Sequence, residues 1–237
     1  MSRFAIKSAP PPGPKPFSFS YSKLKNFETC PLKHLKVDLE KSIAEAKSPQ
    51  LDEGNKAHKA LAGACTGLVP LPEEYAKYQK WVDKARVGMD DMSTGMVLRV
   101  EQQLAINIHL QPVDWFARDV WFRGVVDVLK YVGEVALAID WKTGKPIDDS
   151  VQLALFAQLI FAHHHQVEKI RTEFVWLADG YSTRDDFTRQ DMVELWAALK
   201  PRVDQLIHAH ATGEYPAKPG GLCRRYCPVT TCAHHGG

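Results

Sequence analysis

The sequence predicts an α/β protein in which a mixed central sheet is flanked by helices. Three apolar, β-branched runs follow one another between residues 97 and 141, and a largely apolar helical pattern at 148–165 separates them from a fourth run at 171–177. Runs joined by short turns pair antiparallel, whereas a helix between two strands lets them lie parallel, so both arrangements are expected in one sheet. The 237 residues suffice for one large domain.

The remaining elements follow from capping and periodicity. Residues 1–17 are expected to form a flexible proline-rich lead, because their prolines exclude a helix or an interior strand. The first helix begins at Ser20 or Ser22, either of which can cap it, and Pro31 bends or restarts it. The other predicted helices are 51–63, 73–87, 148–165 and 190–212, and the predicted strands are 97–108, 120–132, 135–141 and 171–177.

Composition excludes several classes of protein. No apolar run approaches the roughly 18 residues of a membrane span, and the first residues lack the hydrophobic segment of a signal peptide, so a cytoplasmic location is expected. The net charge of +2 allows nucleic-acid binding without arguing for it, because a local basic groove matters more than the sum. The chain has no Gly-x-x-x-x-Gly-Lys-Ser/Thr phosphate loop, so no ATPase motor is visible.

Two of the predicted strands end in carboxylates. One runs from Phe122 to Asp127, and the other reaches Asp140, with Lys142 two positions on. Side chains alternate across a strand, so Asp140 and Lys142 point to the same face, and a hairpin through residues 131–134 would bring Asp127 to them. Two carboxylates beside an ammonium group suit a divalent cation and a phosphodiester, which predicts a nuclease site.

A plainer interpretation of the second strand is a strand end that runs into a glycine turn with exposed charges, since short motifs recur by chance. Further motifs at other places in the chain favour the nuclease interpretation. They are Ser20-Tyr21-Ser22-Lys23-Leu24 with Phe27-Glu28-Thr29-Cys30-Pro31-Leu32-Lys33, Glu53-Gly54-Asn55-Lys56-Ala57-His58, Gly124-Val125-Val126-Asp127, Ile139-Asp140-Trp141-Lys142-Thr143-Gly144 and Gln152-Leu153-Ala154-Leu155-Phe156.

Together these motifs resemble the RecB-type branch of the PD-(D/E)XK nuclease superfamily, which includes CRISPR-associated exonucleases and the nuclease domain of AddB. The resemblance covers most of residues 18–232 and implies a restriction-endonuclease-like core in residues 18–212. It implies that Mg²⁺ or Mn²⁺ is bound by His58, Asp127 and Asp140, and the backbone carbonyl of Trp141, between the acidic and basic residues, is a further candidate ligand.

The same resemblance assigns other roles. Lys142 would be the catalytic lysine, and Gln152 a polar group near that lysine or the DNA strand. Phe156 departs from the tyrosine of the family motif and lacks its hydroxyl. Glu101, on the preceding strand, is a further carboxylate expected near the site.

The function that follows is a metal-dependent DNA nuclease, an exonuclease on single-stranded DNA or duplex ends in repair or recombination, with a helicase or recombination protein as a partner. DNA as the substrate and exonucleolytic action come from the resemblance, whereas the residues argue only for phosphodiester hydrolysis. Two alternatives stay open: a non-catalytic module that binds DNA ends, and a structure-specific endonuclease.

The cysteines predict a second metal site. Their number, five, is odd and no secretory signal is visible, which argues against a disulfide scaffold. Three lie within ten residues near the C-terminus, and the resemblance adds a fourth far upstream to bind a [4Fe–4S] cluster. This set is Cys30, Cys223, Cys227 and Cys232.

The cluster would hold a cysteine-rich tail, residues 213–237, against the N-terminal helix near Cys30. The middle cysteine of the trio lies one residue later than in the common family spacing, which leaves room for Zn²⁺ with His34, His234 or His235 as a fourth ligand. Three free buried cysteines are the plainer alternative, and Cys65 is expected to be a small core residue.

Overall fold

The computed structural model describes residues 17–44, 48–147 and 149–237. At its centre lies a six-stranded mixed sheet of strand order β2-β1-β3-β4-β5-β6. Only β4 and β5 pair parallel; the other neighbours are antiparallel. The strands are β1 Val97–Ile106, β2 Pro112–Val113, β3 Phe122–Val132, β4 Val135–Lys142, β5 Lys169–Trp176 and β6 Tyr181–Thr188.

Helices cover both faces of this sheet. They are α1 Tyr21–Thr29, α2 Pro31–His34, α3 Pro49–Cys65, α4 Gln79–Arg86, α5 Ser150–His163 and α6 Asp191–Thr212. Helix α5 crosses from β4 to β5, is buried along most of its length, and packs on one face with α1 and α6. Helices α3 and α4 pack on the other face around Trp81 and Trp141. The predicted α/β class with a mixed, helix-flanked sheet is confirmed.

The β3–β4 hairpin forms as its sequence predicts. Val132 pairs with Val135, and Gly133 adopts a left-handed φ of 53° in the two-residue turn. This turn fixes the register of the two strands that carry the acidic residues.

Several elements differ from their predictions. The helix expected over 73–87 is a 3-10 helix, Glu73–Tyr78, followed by α4, and a π-helical turn, Leu35–Leu39, extends α2. The edge strand β6 is missing from the prediction, because it is rich in charged residues and exposes most of its side chains. The proline-rich lead lies outside the described residues apart from Phe17. No helix in the described part of the chain is long and apolar enough to cross a membrane.

Candidate active site

The two central strands separate where their carboxylates lie. The pairing of β3 with β4 ends at Val128 and Ile139, whereas β4 continues to pair with β5 as far as Lys142. Beyond Ile139, the edge of β4 that faces β3 therefore has no backbone partner. This opening is where the acidic side chains can reach backbone groups.

The carboxylate of Asp127 takes the place of a backbone partner. Its Oδ2 accepts a hydrogen bond of 2.8 Å from the backbone nitrogen of Trp141, so this side chain lies sideways between the strands. On β3, Val126 packs against the α5 face and Val128 against the α3 face, although they are two residues apart. The strand thus changes its facing at Asp127. The predicted meeting of the acidic groups occurs with Asp127 near the plane of the sheet rather than on one face.

Asp140 lies on the α5 face of the sheet with Lys142 and Gln152. The Lys142 Nζ is 2.7 Å from Asp140 Oδ2 and donates to Gln152 Oε1 at 3.1 Å, and Gln152 Nε2 donates to Asp140 Oδ1 at 3.3 Å. The ion pair falls outside hydrogen-bonding geometry, so Asp140 Oδ2 is buried without a hydrogen bond. Burial raises the pKa of Asp140 to about 6, opposed by the charge of Lys142 and assisted by that of Asp127.

His58 reaches the site from helix α3, on the other side of the sheet. Its Nδ1 lies 3.3 Å from Asp127 Oδ2. Burial acts to lower the pKa of His58, but the hydrogen bond to Asp127 and the surrounding carboxylates outweigh it and raise that pKa. His58 therefore holds its proton more tightly than a free imidazole does when no cation is bound beside Asp127.

A glycine one helical turn before His58 allows this approach. Gly54 and His58 are four residues apart and share a face of α3. A Cβ atom on Gly54 would lie 2.8 Å from Thr143 Oγ1, so a side chain there would push α3 away from the end of β4. The spacing of the Gly-x-x-x-His motif is thus explained by two contacts on one helix face. Gly54 packs closely against Thr143, and His58, one turn later, contacts Asp127.

Glu101 lies in β1, the strand that pairs with β3 on the side away from β4. It stands between Val100, which pairs with Val128, and Gln102, which pairs with Val126, and it has a left-handed φ of 49°. Burial and the charge of Asp127 raise the pKa of Glu101, and His58 opposes this effect. A left-handed glutamate inside a strand is strained. The sequence gives no signal for that conformation, although its position suggested a carboxylate near the site.

The packing of α5 on β3 places Gln152. A Cβ on Gly124 would lie 3.0 Å from Leu159 Cδ1 and 3.6 Å from the ring of Phe156, so the helix approaches the strand closely there. Phe156 is buried and supplies only its ring. A hydroxyl nearby comes from Tyr21 of α1, which donates to Asp149 just before α5, a role that the sequence did not predict.

The donor set suits a hard divalent cation. Within residues 17–44, 48–147 and 149–237 no group of three or more His, Cys, Asp or Glu side chains is placed to hold a metal ion. Mg²⁺, however, usually takes only one or two protein carboxylates, with water and phosphate oxygens as its other ligands. The buried Asp140 oxygen without a hydrogen bond is one such donor, and a cation beside it would offset the burial that raises its pKa.

The four cysteines of the predicted second site line one cavity of about 260 Å³, together with His234 and His235. The C-terminal segment reaches this place through Pro216, whose carbonyl accepts from the Leu32 nitrogen at 3.3 Å, and through Lys218, whose Nζ donates to the Glu28 carbonyl at 2.7 Å. His34 instead contacts Asp38, 2.8 Å from its Nδ1. Cys65 is buried in the core, away from this cavity.

Comparison with known proteins shows which superfamily the chain belongs to. Residues 18–232 match the family model of the PD-(D/E)XK nuclease superfamily, and the chain belongs to that superfamily. A protein from Eubacterium rectale described as a candidate exonuclease has a similar fold, with a TM-score of 0.52 and 12% identity over 91% of this chain and 86% of that one. The structure named SSO0001 gives a TM-score of 0.47 and 11% identity over 95% and 90% of the two chains. No curated protein matches the chain.

Proposed function

We propose that this protein is a metal-dependent deoxyribonuclease of the RecB-type branch that acts as an exonuclease on single-stranded DNA or duplex ends. The observation that carries the proposal is the junction of Asp127, Asp140, Lys142 and Gln152 where β3 and β4 separate, in a chain of a nuclease superfamily. A role in repair or recombination, a partner protein and a cytoplasmic location remain predictions from the sequence.

Asp127 and Asp140 are the residues that would hold Mg²⁺ or Mn²⁺. The N–H and C=O of one strand residue point to the same side, and the N–H of Trp141 points to Asp127, so its carbonyl faces the same opening. His58 borders this position through its contact with Asp127. A bound cation would supply a water of lowered pKa and neutralise charge on the phosphodiester.

Lys142 and Gln152 act on the other side of Asp140. The ammonium group of Lys142 offers positive charge where the phosphodiester gains negative charge in the transition state. Gln152 accepts from Lys142 and donates to Asp140, so one amide fixes both side chains in place. Removal of Gln152 would leave both groups free to turn, and we expect a smaller loss of activity than removal of either charge.

We further propose a [4Fe–4S] cluster at Cys30, Cys223, Cys227 and Cys232. A single Zn²⁺ requires its four ligands within about 2.3 Å of one point, whereas a cluster several ångströms across needs a cavity with the thiols at its rim. The four thiols line a cavity of about 260 Å³, and among the described residues no group of three or more His, Cys, Asp or Glu side chains is placed to hold a single metal ion. Backbone nitrogens also donate to Cys30 Sγ and Cys223 Sγ, each at 3.4 Å, and hydrogen bonds of this kind to the sulfurs are typical of iron–sulfur sites.

A cleavage assay tests the nuclease proposal. End-labelled single strands, blunt duplexes and a circular single strand are incubated with Mg²⁺, and Lys142→Met is compared with Lys200→Met. Lys200 pairs with Asp204 on the exposed face of α6. This pair lies outside the site and is the matched control for the Lys142–Asp140 pair. We expect degradation of the linear substrates, a loss of roughly 10²-fold or more in Lys142→Met, and no loss in the control.

Other results of this assay would redirect the proposal. Cleavage of the circular strand would identify an endonuclease. Binding of DNA ends without cleavage under any divalent cation would identify an accessory module. For the second site, visible absorption of anaerobically purified protein distinguishes the cluster from colourless Zn²⁺.

A further inference from the structure

The candidate active site opens into a cleft that has an aromatic wall. The cleft has a volume of about 330 Å³, and its lining includes Asp140, Gln152 and Trp115. Its volume lies at the lower end of the ~300–1,000 Å³ range of sites that enclose small molecular groups. Trp115 belongs to the connection between β2 and β3.

Two further side chains lie next to Trp115, one in space and one in the sequence. The guanidinium of Arg123 lies 4.9 Å from the centre of the Trp115 ring, and its Nη1 donates to the Trp115 carbonyl at 3.4 Å. The neighbouring Phe116 is 86% exposed, so its ring is accessible to a ligand. The indole of Trp115 and the guanidinium of Arg123 thus line the same cleft as Asp140, and the phenyl ring of Phe116 follows Trp115 in the sequence.

The cationic side continues away from the catalytic centre. Arg123 and Lys23 line both this cleft and a second cavity of about 310 Å³, whose lining also includes Lys41, His210 and the acidic Asp38. Within the described residues, Arg123 has no carboxylate partner, so its charge remains available for a phosphate. The two cavities adjoin at these shared cations, so together they form one path.

We propose that this path binds single-stranded DNA next to the cleaved phosphodiester, with an unpaired base stacked on Trp115 and Phe116 and the neighbouring phosphate on Arg123. Aromatic rings stack on every base, and arginine and lysine neutralise the phosphates, so such a path recognises single strands without sequence preference. Bases inside a duplex are already paired and stacked and cannot reach these rings. The proposal rests on the proposed function and narrows its substrate to unpaired strands or frayed ends.

Binding measured without turnover tests this proposal separately from catalysis. The anisotropy of labelled oligo(dT) and of a blunt duplex is recorded without divalent cation for the wild type, Trp115→Ala, Phe116→Ala and Tyr181→Ala. Tyr181 is a partly exposed aromatic residue on the edge strand β6 and does not line the cleft. We expect about tenfold weaker oligo(dT) binding in Trp115→Ala and several-fold in Phe116→Ala, and little change for the duplex or the control.

Oligonucleotides with one abasic residue locate the stacked base. In the wild type one position should lose affinity when its base is missing, and the same omission should have no effect in Trp115→Ala, because the partner ring is already gone. Phe116 is so exposed that Phe116→Ala leaves the fold intact even if Trp115→Ala does not. Unchanged oligo(dT) affinity in Phe116→Ala together with no sensitive abasic position would overturn the proposal, even in a protein that cleaves DNA.

Salt dependence tests the role of Arg123. The slope of log K against log salt should fall by about 0.7 in Arg123→Gln, the contribution of one phosphate on a single strand, and stay unchanged in Arg123→Lys. Arg184→Gln, on β6, is the matched control and should keep the wild-type slope. An unchanged slope in Arg123→Gln would contradict phosphate binding at this position.

Discussion

The candidate active site and the cysteine-lined cavity differ in what holds their residues in place. Around Asp140, each polar side chain contacts another side chain or the backbone of a regular strand or helix. Around Cys223, the chain has only a short 3-10 helix and turns, and few apolar residues are buried. The polar groups of the first region are therefore held by the fold before any cation binds, whereas we expect the second region to depend on its proposed metal group for much of its order.

Loss of a cysteine should have the largest effect on stability. We expect Cys232→Ser to destabilise the protein by about 4 kcal/mol or more, because the binding energy of a structural metal group is folding energy, and a melting temperature roughly 10 °C lower follows. Thermal unfolding and visible absorption are measured together, with Cys65→Ala as the control that keeps the absorption. If Cys232→Ser melted at the wild-type temperature and neither protein absorbed visible light, the cysteine region, like the candidate active site, would need no ligand for its order.

Neutralising Asp140 should, in contrast, stabilise the protein at a pH above the pKa of this group. Its pKa is about 6 in the folded protein and 3.8 in the unfolded chain, so the folded state holds the proton more tightly. The stabilisation from this group is complete below pH 3.8 and is lost as the pH rises through 6. Without divalent cation, the free energy of unfolding of Asp140→Asn relative to the wild type should therefore rise by on the order of 2–3 kcal/mol between pH 4 and pH 8.

The comparison that checks this prediction is denaturant unfolding of wild type and Asp140→Asn at both pH values. Asp204→Asn on the exposed face of α6 is the control and should show no such pH-dependent difference. Equal pH dependence in Asp140→Asn and the wild type would mean that burial does not raise this pKa.

His58 should affect cation binding more than the fold. We expect His58→Gln to require roughly 10–100-fold more Mg²⁺ for half-maximal cleavage, the usual range for a group that borders a metal ligand, because Asp127 loses its neighbour. Titration of activity with Mg²⁺ measures this. Loss of activity that high Mg²⁺ does not restore would assign His58 a direct catalytic role instead.

Two glycines of α3 provide the smallest and most specific test. Gly54→Ala places a Cβ against Thr143, so we expect about 1 kcal/mol of destabilisation and weaker activity. Gly63→Ala meets nothing within 4 Å and should stabilise the helix by about 0.5–1 kcal/mol without changing activity. If both substitutions had the same effect, close packing at Gly54 would not be what positions His58.

The sequence predicted the elements that obey a clear period. The alternation and the glycine turn of β3 and β4 indicated the hairpin, and the period of two placed Asp140 and Lys142 together. The edge strand β6 could not be found, because its charged residues resemble a loop. The break at Tyr78 depends on tertiary packing and leaves no local signal.

The site could be predicted only in part. His58 and Gln152 became candidates through the family resemblance, since neither residue is informative alone. The position of Asp127 between the strands depends on where the pairing of β3 and β4 ends. The left-handed conformation of Glu101 depends on tertiary constraints, which leave no local signal in the sequence. Trp115 lies outside the motifs and Arg123 directly precedes Gly124-Val125-Val126-Asp127, and only the fold brings these two residues together at the cleft.

Binding of Mn²⁺, followed by its electron paramagnetic resonance signal, tests the central claim most directly. We predict that the wild type and Asp204→Asn bind the ion and cleave single-stranded DNA with it, and that Asp127→Asn and Asp140→Asn lose both binding and cleavage. Wild-type Mn²⁺ binding and cleavage in either of these two variants would contradict the account.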